Sequence, residues 1–264
     1  MTDKSQDDID VLPAPLPSIR HMTKEDILGA LKAGVKDFMR APLYGLFFGG
    51  FFAIGGFFLL YMLASYKQPW WIMPMAFGFP IIGPFAAVGL YEVSRRLRGN
   101  ETLSWGGVLS AAVNERKRQL PTMAFIVMFV FWIWMYQVRT LVALFAGLNP
   151  FSTVQSFTDF LFASTNGYAF LAVGTTVGAF MSLALYSITV ISIPLLLDRE
   201  IDFMSAIIVS IKTVLESPVV MLSWGIVVTF LALFGMATGF LGLLIVFPIL
   251  GHATWHLYER AVLR

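Results

Sequence analysis

Six long apolar runs leave this chain one kind of fold. They cover residues 43–64, 71–91, 122–145, 167–197, 219–237 and 240–258. Each is long enough to cross about 30 Å of hydrocarbon, and the fourth is long enough to tilt or protrude. Backbone amides in lipid must be satisfied within their own segment, so the runs must be helices. Only 13% of the residues are charged and 58% are hydrophobic, against about 25% charge in ordinary soluble domains. There are no cysteines, which excludes disulfides, thiolate metal sites and cysteine nucleophiles.

The basic residues orient these helices. All but Lys67 and Arg139 of the 18 lysines and arginines fall in the N-terminal segment, after the second run, after the fourth, or at the C-terminus. By the positive-inside rule both termini are expected in the cytoplasm. Residues 1–22 carry Asp3, Asp7, Asp8 and Asp10 with three prolines and no apolar core. They read as a disordered cytoplasmic tail rather than a signal peptide.

A repeat organises the rest. Phe79-Pro80-Ile81-Ile82-Gly83 leads to Leu90-Tyr91-Glu92, and Phe247-Pro248-Ile249-Leu250-Gly251 leads to Leu257-Tyr258-Glu259. Pro42, Pro121 and Pro218 each open an odd-numbered run, where a missing amide donor costs nothing. Before each lies an amphipathic stretch, at 27–39, 108–119 and 203–215. In the first, Ile27, Leu28, Leu31, Val35 and Phe38 form an apolar stripe, with Lys32, Lys36 and Asp37 elsewhere on the wheel. Helices of this kind lie in the headgroup layer. The expectation is an all-α membrane protein: six transmembrane helices as three parallel-repeat hairpins, each preceded by a cytoplasmic amphipathic helix. Its units run about 23–100, 101–200 and 201–264, forming one domain over 23–264. The external segment 147–166 spaces Phe151, Val154, Phe157, Phe160 and Leu161 for a further short helix.

The stretches FGFPIIGPFAAVGLYEVSRRLRGNETLSW, SIPLLLDREIDFMSA and FPILGHATWHLYERAV resemble a bacterial family of integral membrane proteins of unknown function (domain of unknown function 2189). The resemblance runs from about Ile27 to the C-terminus. It implies six helices in a bacterial inner membrane and carries no activity, cofactor or ligand with it.

Few residues invite chemistry. His252 and His256 stand four apart with Glu259 three further on, a spacing that offers zinc or copper three ligands on one helix face. The alternative is that water, headgroups or neighbouring helix ends satisfy them. Glu92, Asp198 and Glu259 close the even-numbered runs, with Arg95 and Arg96, Arg199, and Arg260 close behind. They read as salt bridges between hairpins, or as a polar ring for a partner or ion. Pro80, Pro84, Pro194 and Pro248 lie within spanning runs and kink them, for packing or around a transported substrate. Arg139 is the sole charge deep in a run and lies near its outer end. Gly45, Gly49 and Ala53, like Gly174, Gly178 and Ser182, make small-residue stripes suited to helix contacts within or between chains. No nucleic-acid, phosphate-loop or hydrolase motif is present.

The composition therefore favours a non-enzymatic accessory or assembly factor of a respiratory or photosynthetic membrane complex, needing no cofactor. Its expected partners are the bilayer, subunits of such a complex, or a second copy. A small transporter or channel, and a metal- or haem-handling membrane protein, are the alternatives.

Overall fold

The computed structural model describes residues 16–66, 72–114, 119–148, 151 and 153–263, with backbone alone at 63, 66, 72–81 and 154. Most of the acidic tail, Lys67, the basic run Arg116-Lys117-Arg118 and the side chain of Pro80 lie outside the described residues. Eleven helices follow one another among them: α1 (Lys24–Arg40), α2 (Pro42–Tyr66), α3 (Ile72–Arg98), α4 (Trp105–Asn114), α5 (Leu120–Ala146), α6 (Val154–Ala163), α7 (Thr165–Thr189), α8 (Ser192–Asp198), α9 (Phe203–Glu216), α10 (Pro218–Ala237) and α11 (Leu243–Ala261). Four segments among the described residues are long and apolar enough to cross a membrane: Pro42–Met62, Leu120–Ala146, Thr165–Asp198 and Pro218–Ala237. The remaining two apolar runs form α3 and α11, whose C-terminal turns carry arginines and histidines in place of apolar side chains.

The amphipathic stretches 27–39 and 203–215 fall in α1 and α9. Of the stretch 108–119, residues 108–114 fall in α4 and 115–118 lie outside the described residues, and the segment 147–166 contains α6. Thr153 caps α6 by accepting from the Ser156 amide at 3.1 Å, and Ser164 caps α7 through the Gly167 amide at 2.9 Å. These side chains satisfy amides that a helix start leaves without partners. Proline sets other boundaries. α2 and α10 each begin on one, directly after Ala41 (φ −135°, ψ 52°) and Ser217 (φ −133°, ψ 56°). The two joints thus share one backbone conformation, and in each the cap amide donates to the carbonyl four residues back, Asp37 or Thr213. The run expected to be one long helix breaks at Val190–Ile191 into α7 and α8. Pro194 explains it, because its ring has no amide and crowds the carbonyl of Val190.

At the other side of the bundle α10 turns into α11 through Gly239 (φ 67°) and Phe240 (φ 68°). Gly239 suits this left-handed geometry. Phe240 accepts the strain and lays its ring over Gly56, where a Cβ would sit 2.0 Å from the ring.

α11 is heavily enclosed, with α1, α2, α3 and α10 packed around it and Leu250, Trp255, Leu257 and Tyr258 buried. The approach is close because small residues face it. A Cβ on Gly34 would lie 2.7 Å from backbone atoms of both Ile249 and Ala253, and one on Gly49 would lie 3.0 Å from the Leu244 carbonyl. The stripe Gly45, Gly49, Ala53 therefore serves contact with α11. Gly174 and Gly178 meet nothing within 4 Å, so their stripe has no such contact among the described residues. α1 is also rolled relative to the sequence expectation. It buries Ile27, Ala30, Gly34 and Asp37, while Leu28 and Val35 of the expected stripe are exposed. Close backbone approach at Gly34 outweighs burial of the larger side chains. The residues from Ser18 onward, assigned by sequence to the tail, pair with the C-terminus: Ile19 bridges Val262, and Arg20 N donates to Ala261 O at 2.9 Å.

Candidate functional site

The C-terminal turns of α3 and α11, with α1 and α8 beside them, bring together the buried polar residues Asp37, Glu92, Ser94, His252 and His256. His252, His256 and Glu259 stand at i, i+4 and i+7 of α11, so a period of 3.6 residues puts them on one face. That face meets Ser94 and Arg98 of α3 and Asp37 of α1. Ser94 Oγ lies 2.8 Å from His252 Nδ1, both side chains wholly enclosed. His256 Nε2 donates to Asp37 Oδ2 at 2.6 Å, and its Nδ1 lies 3.3 Å from Glu259 Oε2. Arg98 pairs with Glu259 in turn. One chain of charge and hydrogen bonding, Asp37–His256–Glu259–Arg98, thus joins α1, α11 and α3. Burial pushes the Asp37 carboxyl up, but the hydrogen bond and charge of His256, with the Ser94 hydroxyl, hold it below the usual carboxylate range.

The other predicted residues are deployed differently from one another. Glu92 is 1% exposed and takes Arg95 on both oxygens at 2.7 and 2.9 Å and Arg96 at 2.6 Å. These pairs lie within α3, one turn apart, so Glu92 does not bridge hairpins. A carboxylate this deep needs such partners, because an unpaired buried charge is very costly. Asp198 accepts from Tyr258 OH at 2.6 Å, which ties α8 to α11, and Arg199 Nη2 donates to the Leu263 carbonyl at 2.7 Å. Arg260 Nη1 donates to His256 O at 2.8 Å. Pro84 is buried in α3, and Pro248 is buried inside α11 against Gly45 and Gly49 of α2.

For metal binding the histidines share a face but not a point. Carboxylate oxygens stand at both ring nitrogens of His256, and His252 turns Nδ1 to Ser94. Among the described residues no group of three or more His, Cys, Asp or Glu side chains is placed to hold a metal ion. His252 Nε2 and Trp255 Nε1, both buried, find no hydrogen-bond partner among the described residues. Sequence reasoning missed Asp37, Ser94, Arg98 and the hydroxyl of Tyr258. The signal for Asp37 was available: it continues the spacing Ile27, Ala30, Gly34 by three.

Residues 72–198, which hold Glu92, Ser94, Arg98 and Asp198, match the model of a family described as predicted integral membrane protein (DUF2189). Over that stretch the chain is similar to this family. The match is narrower than the resemblance read from Ile27 onward, and leaves α1 and α11 outside it. No curated protein and no solved structure matches the chain. DUF2189 names no activity, so the site must be read from its own geometry.

Proposed function

We propose that the protein is a non-enzymatic accessory or assembly factor of a respiratory or photosynthetic complex in a bacterial inner membrane. The observation that carries this reading is the standing of α5. Only 6% of its most apolar stretch is buried. Phe125, Phe129, Trp132 and Tyr136 are exposed along it at spacings of four, three and four, one aromatic face that the chain's own bundle leaves uncovered. Large aromatic side chains dominate contact energy between proteins. The polar cluster is consistent with the same reading, because Asp37, His256, Glu259 and Arg98 pair with one another and the Ser94–His252 pair is enclosed.

In this reading six helices span the bilayer: α2, α3, α5, α7 with α8, α10 and α11. They form three parallel hairpins, and the matching joints at Ala41 and Ser217 support that repeat. The charge distribution puts both termini in the cytoplasm. Purification from native membranes in mild detergent, with a photo-crosslinker at Tyr136, tests the role. Stoichiometric crosslinking to subunits of one membrane complex supports it. A chain that purifies alone, with no crosslink from Tyr136, overturns it.

A second reading, a small transporter, draws support from a cleft of about 330 Å³ between α5 and α7. Trp134, Gln137, Phe170, Gly174, Thr175 and Gly178 are among its lining residues. The metal- or haem-handling alternative rests on His252 and His256. Elemental and absorption analysis of the same preparation tests it, with about one metal per chain as the result in its favour.

A further inference from the structure

α1 carries two apolar faces, and its packing accounts for one. Ile27, Ala30 and Gly34 meet the bundle. A second row, Leu28, Val35 and Met39, lies roughly a third of a turn away at 100° per residue, with Leu31 half-buried between it and the core. Leu28 is 58% exposed and Met39 73%. Beyond the joint at Ala41, Leu43, Phe47, Phe51 and Ile54 are exposed on α2, a span-length helix that is apolar all round.

Lys24, Lys32, Lys36 and Arg40 are all exposed along the same helix. Lys32 and Lys36 follow the row along one edge on the wheel. The acids of α1 do not balance them. Asp26 accepts from Arg20 at 2.8 Å, and Asp37 is turned inward to His256 at 2.6 Å. Glu25 is the one acid left outward on α1. An occupant of this face must be apolar along a line about 17 Å long, anionic along its edge, and continuous with the lipid around α2.

We propose that this outer face of α1 docks on anionic phospholipid, its apolar row at the acyl boundary and its four cations on the headgroup phosphates. Long basic side chains beside an apolar row suit that arrangement, since their stems lie on apolar surface while their heads reach the phosphates. α9 makes the contrast. It too exposes an apolar row, Met204, Ile208 and Leu215, but Lys212 is its only cation. The proposal does not depend on the accessory role or on which side the termini lie.

The test uses the full chain in nanodiscs of phosphatidylcholine with about 30% phosphatidylglycerol, followed by native mass spectrometry of the lipids retained. The expected result is preferential retention of phosphatidylglycerol. The preference falls about tenfold when Lys24, Lys32, Lys36 and Arg40 are all changed to Gln, and holds in Lys212→Gln. Absence of the preference, or its survival in the fourfold variant, overturns the proposal. A readout on the unaltered chain guards against a variant that misfolds. Raising salt from about 0.05 to 0.5 M before analysis must weaken the preference by screening, and a preference indifferent to salt also overturns it.

Discussion

Asp37 Oδ2 and His256 Nε2 meet at 2.6 Å although 219 positions separate them in the chain. Both residues are buried, so removing either leaves the other enclosed without its partner. Asp37→Ala is expected to destabilise the protein by about 3 kcal/mol, the range for breaking one side of a buried pair. His256→Ala should do nearly the same, and the double variant should cost clearly less than the sum. Thermal unfolding in detergent checks this. Additive losses would mean that the two residues act separately.

Gly34 and Gly178 make a second contrast. Gly34→Ala puts a methyl 2.7 Å from the α11 backbone, which cannot move aside as a side chain can. It is expected to force α1 off α11 and lower the unfolding midpoint sharply. Gly178→Ala meets nothing within 4 Å and should leave the midpoint unchanged or raise it, by up to about 1 kcal/mol of helix propensity. Equal effects at the two sites would refute the seam.

Acid should loosen the α1 end of the molecule first. The Asp37 carboxyl is held below its usual range. Asp26 is also held low, burial opposing and the Thr23 amide and Arg20 prevailing. Depressed carboxyls contribute stability that is complete above the unfolded value of about 3.9 and is lost as pH falls through the lower folded value. The unfolding midpoint is therefore expected to hold from pH 7 to about 5 and then decline. Asp37→Asn should flatten part of that decline. A pH profile identical in the variant would remove Asp37 from the account.

Topology is open to direct labelling. Single cysteines at Ser5 and Leu263 should react only from the cytoplasmic side, and one at Ser156, in α6, only from outside. Labelling of either terminus from the outside would sink the proposed orientation, with the cysteine-free background making the assay clean.

The elements were legible because length and periodicity act locally. The runs became helices, Pro42 and Pro218 mark the first residues of α2 and α10, and Phe157 with its neighbours forms α6. The site was legible only in part, because its partners come from distant segments. His252, His256 and Glu259 are a local pattern and were visible. Asp37 was not, since a hydrophobic wheel ranks large apolar residues above Ala30 and Gly34. The seam with α11 depends instead on how closely two backbones can approach. Glu92 was read as a bridge between hairpins, yet two arginines within its own helix turn satisfy it first.

The enclosure of α11 also sets a schedule for biogenesis. α1 and α2 form the wall against which α11 packs, and nearly the whole chain must be made between them. At ribosomal speeds of about 5–20 residues per second, their glycine-lined faces stand open for on the order of ten seconds. The nascent protein must therefore be held in the membrane with its first hairpin unclosed, until its last helix arrives to fill the gap.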